Sequence, residues 1–152
     1  GDVAVHHDGM AATPAKAAAF ARLLPDRSAV LIVGGLAETD GGAVHAGAGE
    51  QRLLREACAE LARAAQRVLL IGPAAAQVAP LLAQAGAERV EIGPDLHWAA
   101  GAALADLEGV GWIAWTPAFP VPLEDRERFA GLIAAAALRA GLEWSPAVGA
   151  AK

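Results

Sequence analysis

The sequence predicts a single α/β domain of three layers, in which helices cover both faces of a mostly parallel sheet. Short and nearly unbroken apolar runs are typical of parallel strands that are buried on both faces. Segments of helical period separate these runs, and a repeated strand-helix order favours parallel pairing through crossovers. The chain has 152 residues, of which 55% are apolar, so it has enough material for one core. The predicted domain spans 1–141, and 142–152 are expected to form a loosely ordered tail.

Five apolar runs are predicted to be strands. They are 3–6, 29–33, 67–71, 89–92 and 110–115. In the last run Trp112 and Trp115 stand three residues apart, so alternation along a strand directs them to opposite faces. This pattern favours Trp112 in the core and Trp115 near the carboxyl edge of the sheet, with packing as the role of both.

Five further segments are predicted to be helices. They are 14–24, 49–65, 74–85, 95–107 and 123–140. Thr13 and Pro14 mark the first helix start, because the threonine hydroxyl can accept from a first-turn amide and proline suits position N1. Apolar residues at steps of three and four, Leu53 among them, predict one buried face on the second helix. Pro80 is expected to kink or split the third.

Composition and motif spacing exclude several classes of function. The formal net charge of −5 argues against a nucleic-acid partner. No stretch predicts a membrane span or a signal peptide, so a cytoplasmic protein without a membrane partner is expected. The single cysteine, Cys58, falls on an apolar helix stripe and indicates core packing. The four histidines lack metal-ligand spacing, and no catalytic triad order is present, so we predict neither a metal site nor catalytic residues in this chain.

Three segments are predicted to leave the sheet at its carboxyl edge, which is where open α/β sheets bind ligands. They are 8–13, 34–48 and 116–122. The first ends at a helix N-terminus, whose free amides and partial positive charge favour anions. The second is long enough to indicate a functional loop. The sequence therefore predicts that the three segments converge on one crevice.

Four motifs in this order resemble those of the C-terminal domain of the Mur ligases, the ATP-dependent amide-forming enzymes of peptidoglycan synthesis. The resemblance is closest to the D-glutamate-adding branch and covers about residues 1–140. The segments that carry it are DGMAATP at 8–14, the strand ending in Gly34 and Gly35, WTPA at 115–118 and EDRERF at 124–129. It implies a Rossmann-like domain that closes over a central ATPase domain.

The resemblance also implies site residues. Asp8 and Gly9 would contact the nucleotide. The implied substrate-binding residues are Thr13, Gly34, Gly35, Glu38, Thr116 and Pro117. ATP and magnesium would be bound mainly by domains absent from this chain. The partners would be a UDP-N-acetylmuramoyl precursor, an amino acid and the upstream ligase domains.

Departures from the family pattern leave the activity open. Glu38 stands near the position of an expected lysine, and such a charge reversal should abolish binding of a glutamate carboxylate there. Met10 and Ala12 also replace expected residues. The sequence has no G-x-x-x-x-G-K-[ST] phosphate loop, so we expect one domain of a longer ligase. The alternatives are a non-catalytic binding module derived from the family, or an unrelated nucleotide-binding Rossmann-like domain.

Overall fold

The computed structural model of the protein describes residues 2–7, 13–34, 48–72, 74–116 and 123–143. Strands and helices alternate along these ranges. The strands are β1 (Ala4–His7), β2 (Ala29–Val33), β3 (Ala65–Leu70), β4 (Val90–Ile92) and β5 (Trp112–Thr116). The helices are α1 (Pro14–Ala21), α2 (Ala48–Ala64), α3 (Ala75–Gln84), α4 (Leu96–Ala103) and α5 (Leu123–Arg139).

The five strands form one sheet in which every pairing is parallel. Their order is β1-β5-β2-β3-β4, so the last strand of the chain lies between the first two. Along β5 the register pairs Trp115 with His7 of β1 on one side and with Ile32 of β2 on the other. The predicted fold class, a three-layer Rossmann-like domain, is confirmed.

The helices pack in two layers, each with its own core. The first layer contains α1, α2 and α3, whose buried side chains form one cluster with Leu31, Val33 and Ala114 of the sheet. The second contains α4 and α5, which pack on the opposite sheet face around Ile113 and Trp115. Since α1 joins β1 to β2, it crosses β5 on the first face. None of the helices in the described ranges is both long and apolar enough to cross a bilayer.

Several details of the helices differ from the prediction: α1 ends at Ala21 rather than at 24, and α4 ends at Ala103 rather than at 107. Leu53 was expected on the buried face of α2 but is 37% exposed, since Leu54, Ala57, Cys58 and Leu61 already fill that face. The helix α3 is not split at Pro80 and runs on to Gln84. Pro80 is exposed, so water can bind the helix carbonyl that proline leaves without a donor.

Two arginines hold helix C-termini at the opposite, amino edge of the sheet. Arg63 donates to the carbonyls of Ala21 at 2.7 Å and Leu24 at 3.1 Å, at the end of α1. Arg67 is only 4% exposed and donates to the carbonyl of Ala103 at 3.1 Å, at the end of α4. A guanidinium satisfies free carbonyls and complements the negative end of the helix dipole. The buried charge of Arg67 and the half-buried charge of Arg63 therefore have a structural explanation.

Candidate functional site

The strands that precede the three predicted loop segments are neighbours in the sheet. The order β1-β5-β2 places the carboxyl ends at His7, Thr116 and Val33 side by side. The segments 8–12, 35–47 and 117–122 therefore start from adjacent points of one edge. This adjacency is not implied by strand-helix alternation, because β5 could have been added at either side of the sheet.

A topological switch point lies at this edge. The helices that follow β1 and β2 pack in the first layer, whereas α5, which follows β5, packs in the second. Chains that leave neighbouring strands toward opposite faces open a crevice between them, and ligands of open α/β sheets bind in such crevices. The candidate site is defined here as this crevice above β1, β5 and β2.

Gly34 directly follows β2 at the carboxyl edge of the sheet. Its φ is +94°, and a Cβ at this position would overlap the carbonyl oxygen of Ile71 at the end of β3. Its N–H donates to the carbonyl of Thr116 at 3.4 Å, and its carbonyl accepts from Nε1 of Trp115 at 2.9 Å. Both backbone polar groups of Gly34 are therefore already hydrogen-bonded within the sheet.

Thr116 lies at the end of β5 and has no exposed surface. Strand alternation places its side chain on the same face as Ala114, which packs under the first helix layer. Among the residues that the structure describes, Oγ1 of Thr116 has no hydrogen-bond partner. Buried hydroxyls normally have a partner, so this atom requires an explanation.

Thr13 caps α1, as predicted. Its Oγ1 accepts from the N–H of Lys16 at 3.3 Å, and Pro14 occupies the first turn. Thr13 is exposed, and its hydroxyl hydrogen remains available to a ligand. Of the first-turn amides, proline has none and that of Lys16 is taken by the cap, which leaves Ala15 as the donor that this cap does not use. The helix start is therefore a weaker anion site than an uncapped one.

The remaining predicted site residues, Asp8, Gly9, Gly35, Glu38 and Pro117, lie outside the described residues. Within the described ranges, no group of histidine, cysteine and carboxylate side chains is placed to hold a metal ion. Cys58 is buried in the first core, and this burial raises the pKa of its thiol to about 11. A thiol of that pKa is a poor nucleophile at neutral pH.

A second switch point lies between β3 and β4, because α3 packs in the first layer and α4 in the second. There the ring of Trp98 lies against Gly93, where a Cβ would overlap it. Asp95 caps α4 by accepting from the N–H of Trp98 at 2.8 Å. The carboxylate of Asp95 at this second switch point is thus already hydrogen-bonded, whereas the hydroxyl of Thr116 at the first switch point has no partner among the described residues.

Comparison with protein-family models and with curated proteins finds no match to this sequence. Support for a function therefore comes from the residues of the chain and their geometry.

Sequence reasoning missed the part that Trp115 plays in the site. It predicted Trp115 near the carboxyl edge but gave its indole no partner. An indole N–H in a buried strand needs an acceptor, and a carbonyl at a glycine turn on the next strand is well placed to provide one. The need of the indole N–H for an acceptor was a signal in the sequence. It could identify the Gly34 carbonyl as that acceptor only once β5 was known to lie beside β2.

Proposed function

We propose that this chain is the C-terminal, Rossmann-like domain of an ATP-dependent Mur-type amide ligase of the cytoplasm. The parent enzyme would add an amino acid, D-glutamate in the relatives that the motifs resemble most, to a UDP-N-acetylmuramoyl precursor of peptidoglycan. In that reaction the γ-phosphoryl group of ATP passes to a carboxylate, giving an acyl phosphate and ADP. The amine of the amino acid then attacks the acyl carbon, loses a proton and releases phosphate. The domain would bind the amino acid and close over the ATPase domain.

The adjacency of β1, β5 and β2 is the observation that carries this proposal. Three of the resembling motifs sit where these strands end, and a shared site requires the three ends to be neighbours. The strand order is independent of the motif letters, since the same letters would occur if β5 lay beyond β4. The ends of the three strands from which these motifs continue lie side by side, and this adjacency supports the proposal.

The proposed role of each site residue follows from the strand end near which it lies. Asp8 and Gly9, directly after β1, would contact the nucleotide, and Thr13 would meet the amino acid at the start of α1. Gly34, at the end of β2, would border the substrate site, and Gly35, Glu38 and Pro117 would extend that site beyond it. ATP phosphates and magnesium would be held mainly by the upstream domains, because this sequence has no phosphate loop.

Phosphate release by the parent protein tests the proposal. The assay contains ATP, magnesium and UDP-N-acetylmuramoyl-L-alanine, and it screens D-glutamate, L-glutamate, neutral and basic amino acids. Release that depends on one amino acid is the expected result. A folded parent protein that binds nucleotide but releases no phosphate with any of them indicates the non-catalytic module. A parent without affinity for ATP or for the precursor indicates the unrelated Rossmann-like domain.

Two helix-cap variants provide a matched control. Thr13→Ala and Asp95→Ala each remove an N-cap hydrogen bond, one at the candidate site and one at the start of α4. Each should cost about 1 kcal/mol of stability. Only Thr13→Ala should also raise the KM for the amino acid, whereas equal KM values in both variants contradict a substrate contact at Thr13.

A further inference from the structure

The hydroxyl of Thr116 has no role in the fold that the described residues reveal. It has no exposed surface and no partner for Oγ1 among them. A buried hydroxyl without a partner destabilises a protein, whereas an isosteric methyl group would be neutral or favourable. In the register of β2 and β5, the residue beside Thr116 is Val33, whose side chain is a hydrocarbon with no polar atom. Stability therefore favours valine at position 116 as well.

The position of Thr116 relates its hydroxyl to the start of α1. It lies at the carboxyl end of β5, on the face that α1 crosses between β1 and β2. A helix in such a crossover starts at the carboxyl edge, and α1 starts at Thr13. The unpaired hydroxyl and the first turn of α1 therefore belong to the same side of one switch point.

We infer that Thr116 determines specificity, by hydrogen-bonding a neutral polar group of the incoming amino acid, a carboxamide or a hydroxyl. This inference rests on the proposed function for the identity of the ligand. Val33 and Ala114, its neighbours in register and on its face, are apolar and uncharged. A carboxylate there would lose its hydration and gain one neutral hydrogen bond, which is unfavourable. A carboxamide both donates and accepts, as a hydroxyl does, and loses less hydration.

Glutamine and glutamate are nearly isosteric and differ in this one group, so they form the test pair. Phosphate release by the parent protein is measured with D-glutamine and with D-glutamate, for wild type, Thr116→Val and Thr116→Ser. Wild type should use D-glutamine with a kcat/KM at least about tenfold higher, and Thr116→Val should lose most of that preference through KM. Thr116→Ser keeps the hydroxyl and should keep the preference. Preference for D-glutamate, or equal preference in wild type and Thr116→Val, overturns the inference.

Two measurements on the chain itself separate this inference from the proposed function. Thr116→Val should melt at or above the temperature of wild type, and a fall of about 3 °C or more indicates a hydroxyl that the fold already satisfies, which overturns the inference. If the parent releases no phosphate, the proposed function fails, and binding of D-glutamine to the chain is followed by tryptophan fluorescence. Binding that Thr116→Val weakens at least tenfold supports the hydroxyl contact, whereas unchanged or absent binding overturns it.

Discussion

The indole Nε1 of Trp115 donates a 2.9 Å hydrogen bond to the carbonyl of Gly34 and ties the carboxyl end of β5 to that of β2. A main-chain bond from the Gly34 N–H to the Thr116 carbonyl lies beside it. Trp115 has no exposed surface, and its ring packs against Phe129 of α5 at a centroid distance of 5.2 Å. One side chain thus contributes to the second core and to the link between the ends of β5 and β2.

Replacing this indole should destabilise the domain. Trp115→Phe leaves the buried Gly34 carbonyl without its side-chain donor and reduces the packed volume, so we expect a loss of about 2–4 kcal/mol in the free energy of unfolding. Urea unfolding followed by circular dichroism measures it. The control is Trp112→Phe, at a half-buried position on the same strand, which should lose about 1 kcal/mol or less. Equal losses in the two variants would show that the Gly34 bond adds nothing.

Gly34 should not tolerate a side chain. Gly34→Ala places a Cβ on the carbonyl of Ile71 and forces a non-glycine residue to a φ of +94°, so a loss of about 2–4 kcal/mol is expected. The matched control is Gly131→Ala in α5, where a Cβ meets open space. That helix substitution should stabilise by about 0.5–1 kcal/mol. The prediction fails if urea unfolding gives both variants the same sign.

Arg67 should matter far more than an exposed arginine. Arg67→Met removes the donors to Ala103 and to the Asp106 carbonyl, at 3.1 and 3.3 Å, and leaves the C-terminus of α4 without a partner there. We expect a loss of about 2–4 kcal/mol in thermal or urea unfolding. Arg52→Ala breaks an exposed pair with Glu56 and should cost at most about 0.5 kcal/mol. A mild effect of Arg67→Met would indicate that water replaces the guanidinium.

Stability should fall at alkaline pH because of Cys58. Burial raises the pKa of this thiol from 9.0 to about 11, so between these values the native state holds a proton that the unfolded state releases. The contribution is therefore fully present below pH 9 and is lost as pH rises toward 11. The chain has no tyrosine, so no phenol titrates in this range. Urea unfolding of wild type and Cys58→Ala at pH 7, 9 and 10.5 should show a steeper alkaline decline for wild type, and parallel declines would contradict it.

Local signals in the sequence predicted the elements well. The apolar run 29–33 matches β2 at both ends, and Thr13 and Pro14 start α1 at the predicted residue. Both signals involve neighbours along the chain, so no long-range contact is needed to interpret them. Leu53 shows the limit, because helical period allowed it on the buried face while the neighbouring helices and sheet decided which side chains were covered.

The strand order could not be predicted in the same way. Which strand lies beside β5 depends on contacts between residues more than eighty positions apart, such as Trp115 and Gly34, and no local pattern reports them. Prediction of Thr116 at the sheet edge needed only the end of an apolar run. The lack of a hydrogen-bond partner for its hydroxyl became evident only from the packing around it in the structure. The roles of Asp8, Gly9, Gly35, Glu38 and Pro117 stay predictions.

The bonds around Gly34 have a mechanical consequence. Trp115 and Thr116 are both hydrogen-bonded to the backbone of Gly34, so segments 35–47 and 117–122 start from a common anchor. A substitution that breaks these bonds would therefore loosen the carboxyl ends of β2 and β5 together rather than one strand alone.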